Sequence, residues 1–202
     1  MPEYSQLQTF IRYNPNTLKT DLQKIKEFFC ELGFAEELMQ NWIKEINWKV
    51  EDNGFVYTGC NINANVMNFD DGIELHIRPT VLGMSKAIYS ELIDDILIIE
   101  VVFYTEEIYN YFNNSYKEWF LPLVNKAMLL FKKYFFDFGI YLTDEVTDMK
   151  PLNIYTSNDV DGILLFDMAL IPEEYINMYS NIPPNYISEK VEGGVFINRS
   201  FE

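Results

Sequence analysis

One imidazole, two thiols and a surplus of carboxylates are what this chain offers for acid–base or nucleophilic chemistry. His76 is the single histidine in 202 residues, and Cys30 and Cys60 are the two cysteines. A Ser, Cys or Asp nucleophile that relies on imidazole must therefore use His76. Ile73, Leu75 and Ile77 alternate with Glu74, His76 and Arg78, which puts the ring on the polar face of a strand. A hairpin folding at Asp71 sets it near Asn65, so a Cys60–His76 dyad needs a different register, and the pattern reads as an exposed structural histidine. Zinc sites take several Cys or His, which this composition disfavours.

The carboxylates form two local constellations. Asp144, Glu145 and Asp148 are the densest acid triplet and have the chemistry to hold Mg²⁺ with water and a substrate phosphate; a solvated loop has the same composition. Ser157, Asp159 and Asp161 before Gly162 copy the first half of an EF-hand loop. The twelfth position, which should be a bidentate Glu, is Met168, and a turn before a strand accounts for the same residues. No Gly-Lys-Ser/Thr phosphate cradle occurs, and Gly54 and Gly59 precede neither a lysine nor an expected helix. No cofactor is expected.

Charge is the stronger signal. Asp and Glu number 31 against 15 Lys and Arg, a net −16, shared evenly between the two halves. No basic residue lies between Lys86 and Lys117, or between Lys150 and Lys190. On one face these stretches would create a strong negative potential; scattered, they are solubilising charge. Glu91, Asp94, Asp95, Glu106, Glu107, Asp159, Asp161, Glu173 and Glu174 are the candidates for an acidic partner-binding surface. Direct binding of nucleic acid is disfavoured, because phosphate neutralisation needs clustered Lys and Arg. The expected function is that of a non-enzymatic acidic interaction protein that binds and neutralises a basic protein. An immunity-type or anti-defence inhibitor, acting on a nuclease toxin or a nucleic-acid-handling enzyme, fits that description. The alternatives are a Mg-dependent enzyme or nucleotide binder with a carboxylate site, and a DNA mimic, whose charge would here be diluted by the 15 basic side chains.

Sixteen Phe and 14 Tyr accompany many Asn and Ile, which with Lys form one codon class. AT-rich codons encode all five, which points to a low-GC bacterial or phage source. Met1-Pro2-Glu3-Tyr4 opens without a basic region and apolar run, so no secretory signal is expected. The longest apolar stretches, Ile96 to Phe103 and Ala127 to Phe138, are short for a membrane span and are interrupted by Glu100 and by Lys132-Lys133. A cytoplasmic protein without a membrane partner, its cysteines free thiols, is the expectation.

These groups need elements to position them. Thr20-Asp21-Leu22-Gln23 reads as a capping box, and the apolar spacing after it predicts a helix ending at Gly33, with a second from about Ala35 to Ile46. The polar stretch before it reads as loosely held, or as an edge strand around Leu7 to Tyr13. Turn signals at Asp52-Asn53-Gly54 and Asp70-Asp71-Gly72 flank strands over Phe55–Ile62, Ala64–Phe69 and Ile73–Thr80. A helix over Ser85–Asp94 and a strand over Ile96–Tyr104 follow. Thr105-Glu106-Glu107 is a good helix start, and the apolar pattern runs to about Phe136 with a break or kink at Pro122. Strands near Gly139 and Ile163, a short helix from Pro172 and a hairpin at Gly193-Gly194 complete the chain. The order argues for an α+β fold: an N-terminal helical hairpin, an antiparallel sheet and a long central helix region packed on it. One domain over 1–202 is expected, with 82–84 the place where a division into two lobes would fall.

Overall fold

The structure, a computed structural model, describes residues 3–46, 49–50, 56–57, 65–69, 72–87, 92–144, 164–179 and 182–200. It is an α+β fold in which one broad antiparallel sheet carries helices on one face. The strands are β1 (Tyr4–Arg12), β2 (Lys49–Val50), β3 (Val56–Tyr57), β4 (Asn65–Phe69), β5 (Ile73–Met84), β6 (Ile96–Tyr104), β7 (Tyr109–Asn110), β8 (Ser115–Tyr116), β9 (Ile140–Asp144), β10 (Met168–Pro172), β11 (Tyr186–Val191) and β12 (Gly194–Arg199). The helices are α1 (Leu18–Leu32), α2 (Glu36–Glu45), α3 (Thr105–Ile108) and α4 (Phe120–Tyr134). The main sheet runs β11-β12-β10-β9-β1-β6-β5-β3-β2, with β4 also paired to β5, while β7 and β8 form a separate hairpin.

The core follows from side-chain period. In β1 and β6, Leu7, Ile11, Leu97, Ile99, Val101 and Phe103 point to the face covered by α1, α2 and α4. There Phe28 of α1 stacks on Phe131 of α4 at 4.2 Å, and Phe29 meets Trp42 of α2 edge-on at 5.5 Å. Phe10, Ile96, Ile98, Tyr141, Ala169 and Ile171 fill a second cluster on the opposite face. A strand buried on both faces reads as a near-continuous apolar run, as Ile96–Phe103 does around the buried Glu100.

Several expectations are corrected. The first strand is not an edge: β1 pairs β6 on one side and β9 on the other, with Ser5, Gln6, Gln8 and Thr9 all buried. α1 begins at Leu18, and Thr17, not Thr20, stands at its N-cap and bonds Asp21 one turn on at 2.7 Å. Ser85 to Ala87 and Leu92 to Asp95 are turns and loop, not helix; the Asp95 carboxylate accepts from Ser85 Oγ at 3.0 Å and from the Lys86 amide at 2.8 Å. β5 runs unbroken through 82–84. The expected helix from Thr105 stops after one turn, because Tyr109 leaves in an extended conformation and a β-hairpin intervenes. Pro122 then sits in the first turn of α4, where its missing N–H breaks no intrahelical bond. The short helix expected after Pro172 is present, as a 3-10 helix over Glu173–Tyr179. No described helix is long and apolar enough to cross a membrane.

Candidate functional site

Strand direction sorts the acidic residues into two ends of the sheet. Asp94 and Asp95 precede β6 and Glu106 and Glu107 follow it, so the nine-residue strand, about 30 Å at roughly 3.4 Å per residue, lies between the pairs. Glu173 and Glu174, which follow β10, fall at the Asp94 end because β10 runs antiparallel to β9 and β9 to β1. Two of these acids have an exposed ion-pair partner. Arg12 Nε lies 3.4 Å from Asp94, and Lys190 Nζ 3.8 Å from Glu173. The structure therefore brings Asp94, Asp95, Glu173 and Glu174 to one end and leaves Glu106 and Glu107 at the other. Glu91, Asp159, Asp161, Glu145, Asp148, Cys60 and the Ser157–Gly162 stretch lie outside the described residues.

The Glu106 end carries a pocket of about 380 Å³ lined by Glu3, Tyr4, Ser5, Thr105, Tyr109, Tyr111, Tyr116, Asp144, Asp167 and Arg199. It forms where β1 begins and where β6, β9 and β12 end. The chain leaves β6 through α3, whose Ile108 is fully buried, and turns back as the β7–β8 hairpin. Asn114 takes a positive φ of 54° in that turn, a conformation Asn tolerates better than most residues. Lys117 returns to the carbonyl oxygens of Glu106 and Glu107 at 3.1 and 2.7 Å, capping the short helix.

His76 pins the same corner. Its backbone N–H donates to Glu107 Oε2 at 2.8 Å, and its ring Nδ1 meets Glu107 Oε1 at 2.5 Å. A carboxylate oxygen here accepts, so Nδ1 carries the proton. His76 pairs with Val66 across β4, one residue from the expected partner. It is half-exposed and committed to Glu107, and it lines no part of the pocket.

Several of the pocket's polar groups pair with one another. Tyr116 donates its hydroxyl to Asp167 Oδ2 at 2.6 Å, and Tyr111 donates to Glu3 Oε2 at 2.9 Å. Ser5 and Thr105 hydroxyls meet at 2.9 Å. Arg199 Nη1 stands 3.6 Å from Asp167 Oδ1 in an ion pair, and the Arg199 backbone N–H donates to the Asp167 carbonyl oxygen at 2.8 Å. Burial raises the Asp167 carboxyl above the ordinary range, opposed by the Tyr116 bond and Arg199 and assisted by Asp144. Burial, then the Asp167 charge, lifts the Tyr116 phenol well above its usual value and raises that of Tyr109. Tyr111 is raised by its bond to Glu3. Three carboxylates thus face one cation within a wall of four tyrosines.

Of the acid triplet, Asp144 alone is described, and it enters this pocket. Among the described residues no three His, Cys, Asp or Glu come together as metal ligands. Glu3, the tyrosines, Asp167 and Arg199 escaped the sequence reading as site residues. One signal was legible: Tyr109, Tyr111 and Tyr116 around Asn113-Asn114 spell a tyrosine-bearing turn. No protein-family model matches this chain, and no curated protein or solved structure matches it either.

Proposed function

We propose that this chain is a non-enzymatic interaction protein that binds a basic protein and centres the contact on the pocket at the Glu106 end of the sheet. The observation that carries this is the pocket's composition: Glu3, Asp144 and Asp167 against Arg199, among Tyr4, Tyr109, Tyr111 and Tyr116. Tyrosine is enriched at protein interfaces because it couples a large apolar ring to a polar tip. Carboxylates beside it attract a basic surface over about 8 Å at physiological salt and disfavour acidic competitors. Phe112 stands fully exposed at the tip of the adjoining hairpin, and Tyr111 is more than half exposed. The patch therefore combines charge for encounter with aromatic surface for residence.

A nuclease toxin or nucleic-acid-handling enzyme is the class of partner that this surface fits, since its phosphate-binding groove is rich in Lys and Arg. Occupying that groove would exclude nucleic acid, the action of an immunity-type or anti-defence inhibitor in a bacterial or phage cytoplasm. The test is affinity capture from native lysate on the immobilised protein, at low and at high salt, beside the Glu3→Gln/Asp144→Asn variant. The expected result is a basic protein held by the wild type, released by salt and missing from the variant. A captured protein that is acidic, or that the variant retains equally, overturns the reading.

A further inference from the structure

The geometry points to a guanidinium, an arginine side chain of the partner, as the group this pocket seats. The inference rests on the partner-binding reading above and names its ligand chemistry. Tyr109 lies edge to face with Tyr111, centroids 5.4 Å apart at 71°, and with Tyr116, 5.3 Å apart at 84°. Tyr109 thus meets each of the other two rings at a steep angle and forms an aromatic corner with them. The hydroxyls of Tyr111 and Tyr116 are spent on Glu3 and Asp167. A carboxylate has about four lone-pair sites, so these acids keep acceptor capacity beyond one phenol each. Tyr111, more than half exposed, and half-buried Tyr109 thus put aromatic surface beside the carboxylate oxygens, while buried Tyr116 holds Asp167 in place.

Ammonium and guanidinium both satisfy the charge, and shape separates them. An ammonium is a compact, strongly hydrated point charge, whereas a guanidinium is planar, less hydrated, stacks on aromatic faces and forks onto carboxylates. The chain already uses guanidinium in this setting twice. Arg78 lies 5.2 Å over the ring of Tyr4, itself a pocket wall, and Arg199 stands beside Asp167. A volume of about 380 Å³ lies in the range of ligand sites, about 300–1,000 Å³, and admits one long side chain.

Argininamide, lysinamide and norleucinamide, titrated separately into the ¹⁵N-labelled full chain, test this by amide chemical shift. Argininamide is expected to give saturable shifts confined to the amides of 3–5, 105–116, 144, 167 and 199. Lysinamide is expected to bind at least tenfold more weakly, and neutral norleucinamide to leave these signals in place. Asp144→Asn, and separately Tyr109→Leu, should each weaken argininamide at least fivefold; the wild-type ranking of the three probes stands whether or not either variant folds. Equal binding of lysinamide, shifts spread over the whole surface, or no saturable shift overturns the guanidinium assignment. If argininamide fails while a basic protein is still captured and lost with Glu3→Gln/Asp144→Asn, the assignment falls and the acidic-pocket reading stands.

Discussion

Replacing Tyr116 by Phe removes one oxygen and leaves the ring, which packs on Phe120 and Tyr109 with centroids 5.5 and 5.3 Å away. The lost oxygen is the donor to Asp167 Oδ2 at 2.6 Å, in a setting where Tyr116 is buried and the Asp167 side chain is 16% exposed. A hydrogen bond to a charged group contributes about 1.5–3 kcal/mol, and one between neutral groups about 0.5–1.5 kcal/mol. Burial holds the folded Asp167 above its unfolded pKa of about 3.9, so its ionisation destabilises the fold: stability from this group is full below that value and declines as pH rises through the folded pKa. Losing the hydroxyl pushes the folded pKa further up and deepens that decline. The variant's deficit should therefore be about 1.5–3 kcal/mol near neutral pH and shrink to about 0.5–1.5 kcal/mol once the carboxyl is protonated in both states. Urea unfolding of both proteins near pH 7 and below about pH 4 measures it. A deficit independent of pH, or below about 0.5 kcal/mol at neutrality, would show that Asp167 carries no charge against this phenol.

Other substitutions probe the frame and the surface. Phe131→Ala removes a fully buried ring stacked on Phe28 and should cost about 3–5 kcal/mol by chemical denaturation. A Cβ at Gly194 would run into the Ile171 carbonyl oxygen in the β10–β12 ladder, so Gly194→Ala should lower stability by about 1–3 kcal/mol in the same assay. His76→Ala leaves the Glu107 bond to the backbone amide of residue 76 in place, and should cost no more than about 1 kcal/mol and leave partner binding intact. Glu106→Lys, at the pocket end, should slow association with a basic partner several-fold, whereas Asp94→Lys, beside Arg12, should change it little; equal effects in stopped-flow mixing would contradict the two-ended charge distribution.

Period made most elements legible in the sequence, and burial of polar groups hid the rest. The apolar spacing from Leu22 to Leu32 and the alternation from Ile73 to Ile77 survive folding as α1 and β5 because each element buries one face. β1 misleads because Ser5, Gln8 and Thr9 look like a solvated segment. They are buried at the sheet centre, and they bond to Thr105, Thr143 and the Gly139 carbonyl, partners 100, 135 and 130 residues away. No local window contains that information. Around Thr105 the acids of a helix start were real, yet the helix yields after one turn to the hairpin that supplies three tyrosines of the site. The pocket draws on segments near residues 3–5, 105–116, 144, 167 and 199, gathered only because antiparallel pairing brings the start of β1 beside the ends of β6 and β9. Charge counting found the surplus of acid. It could not tell which acids stand beside Arg12 and Lys190 and which line a cavity.

Hydrogen exchange on the isolated complex of this chain with its captured basic protein tests the central claim most directly. Bound partner should slow exchange of the amides at 3–5 and 105–116, at the pocket and its hairpin, and leave those at 92–95 and 173–179 at their free rates. Protection confined to the Asp94 and Glu173 end, with the tyrosine hairpin exchanging as in the free protein, would contradict it.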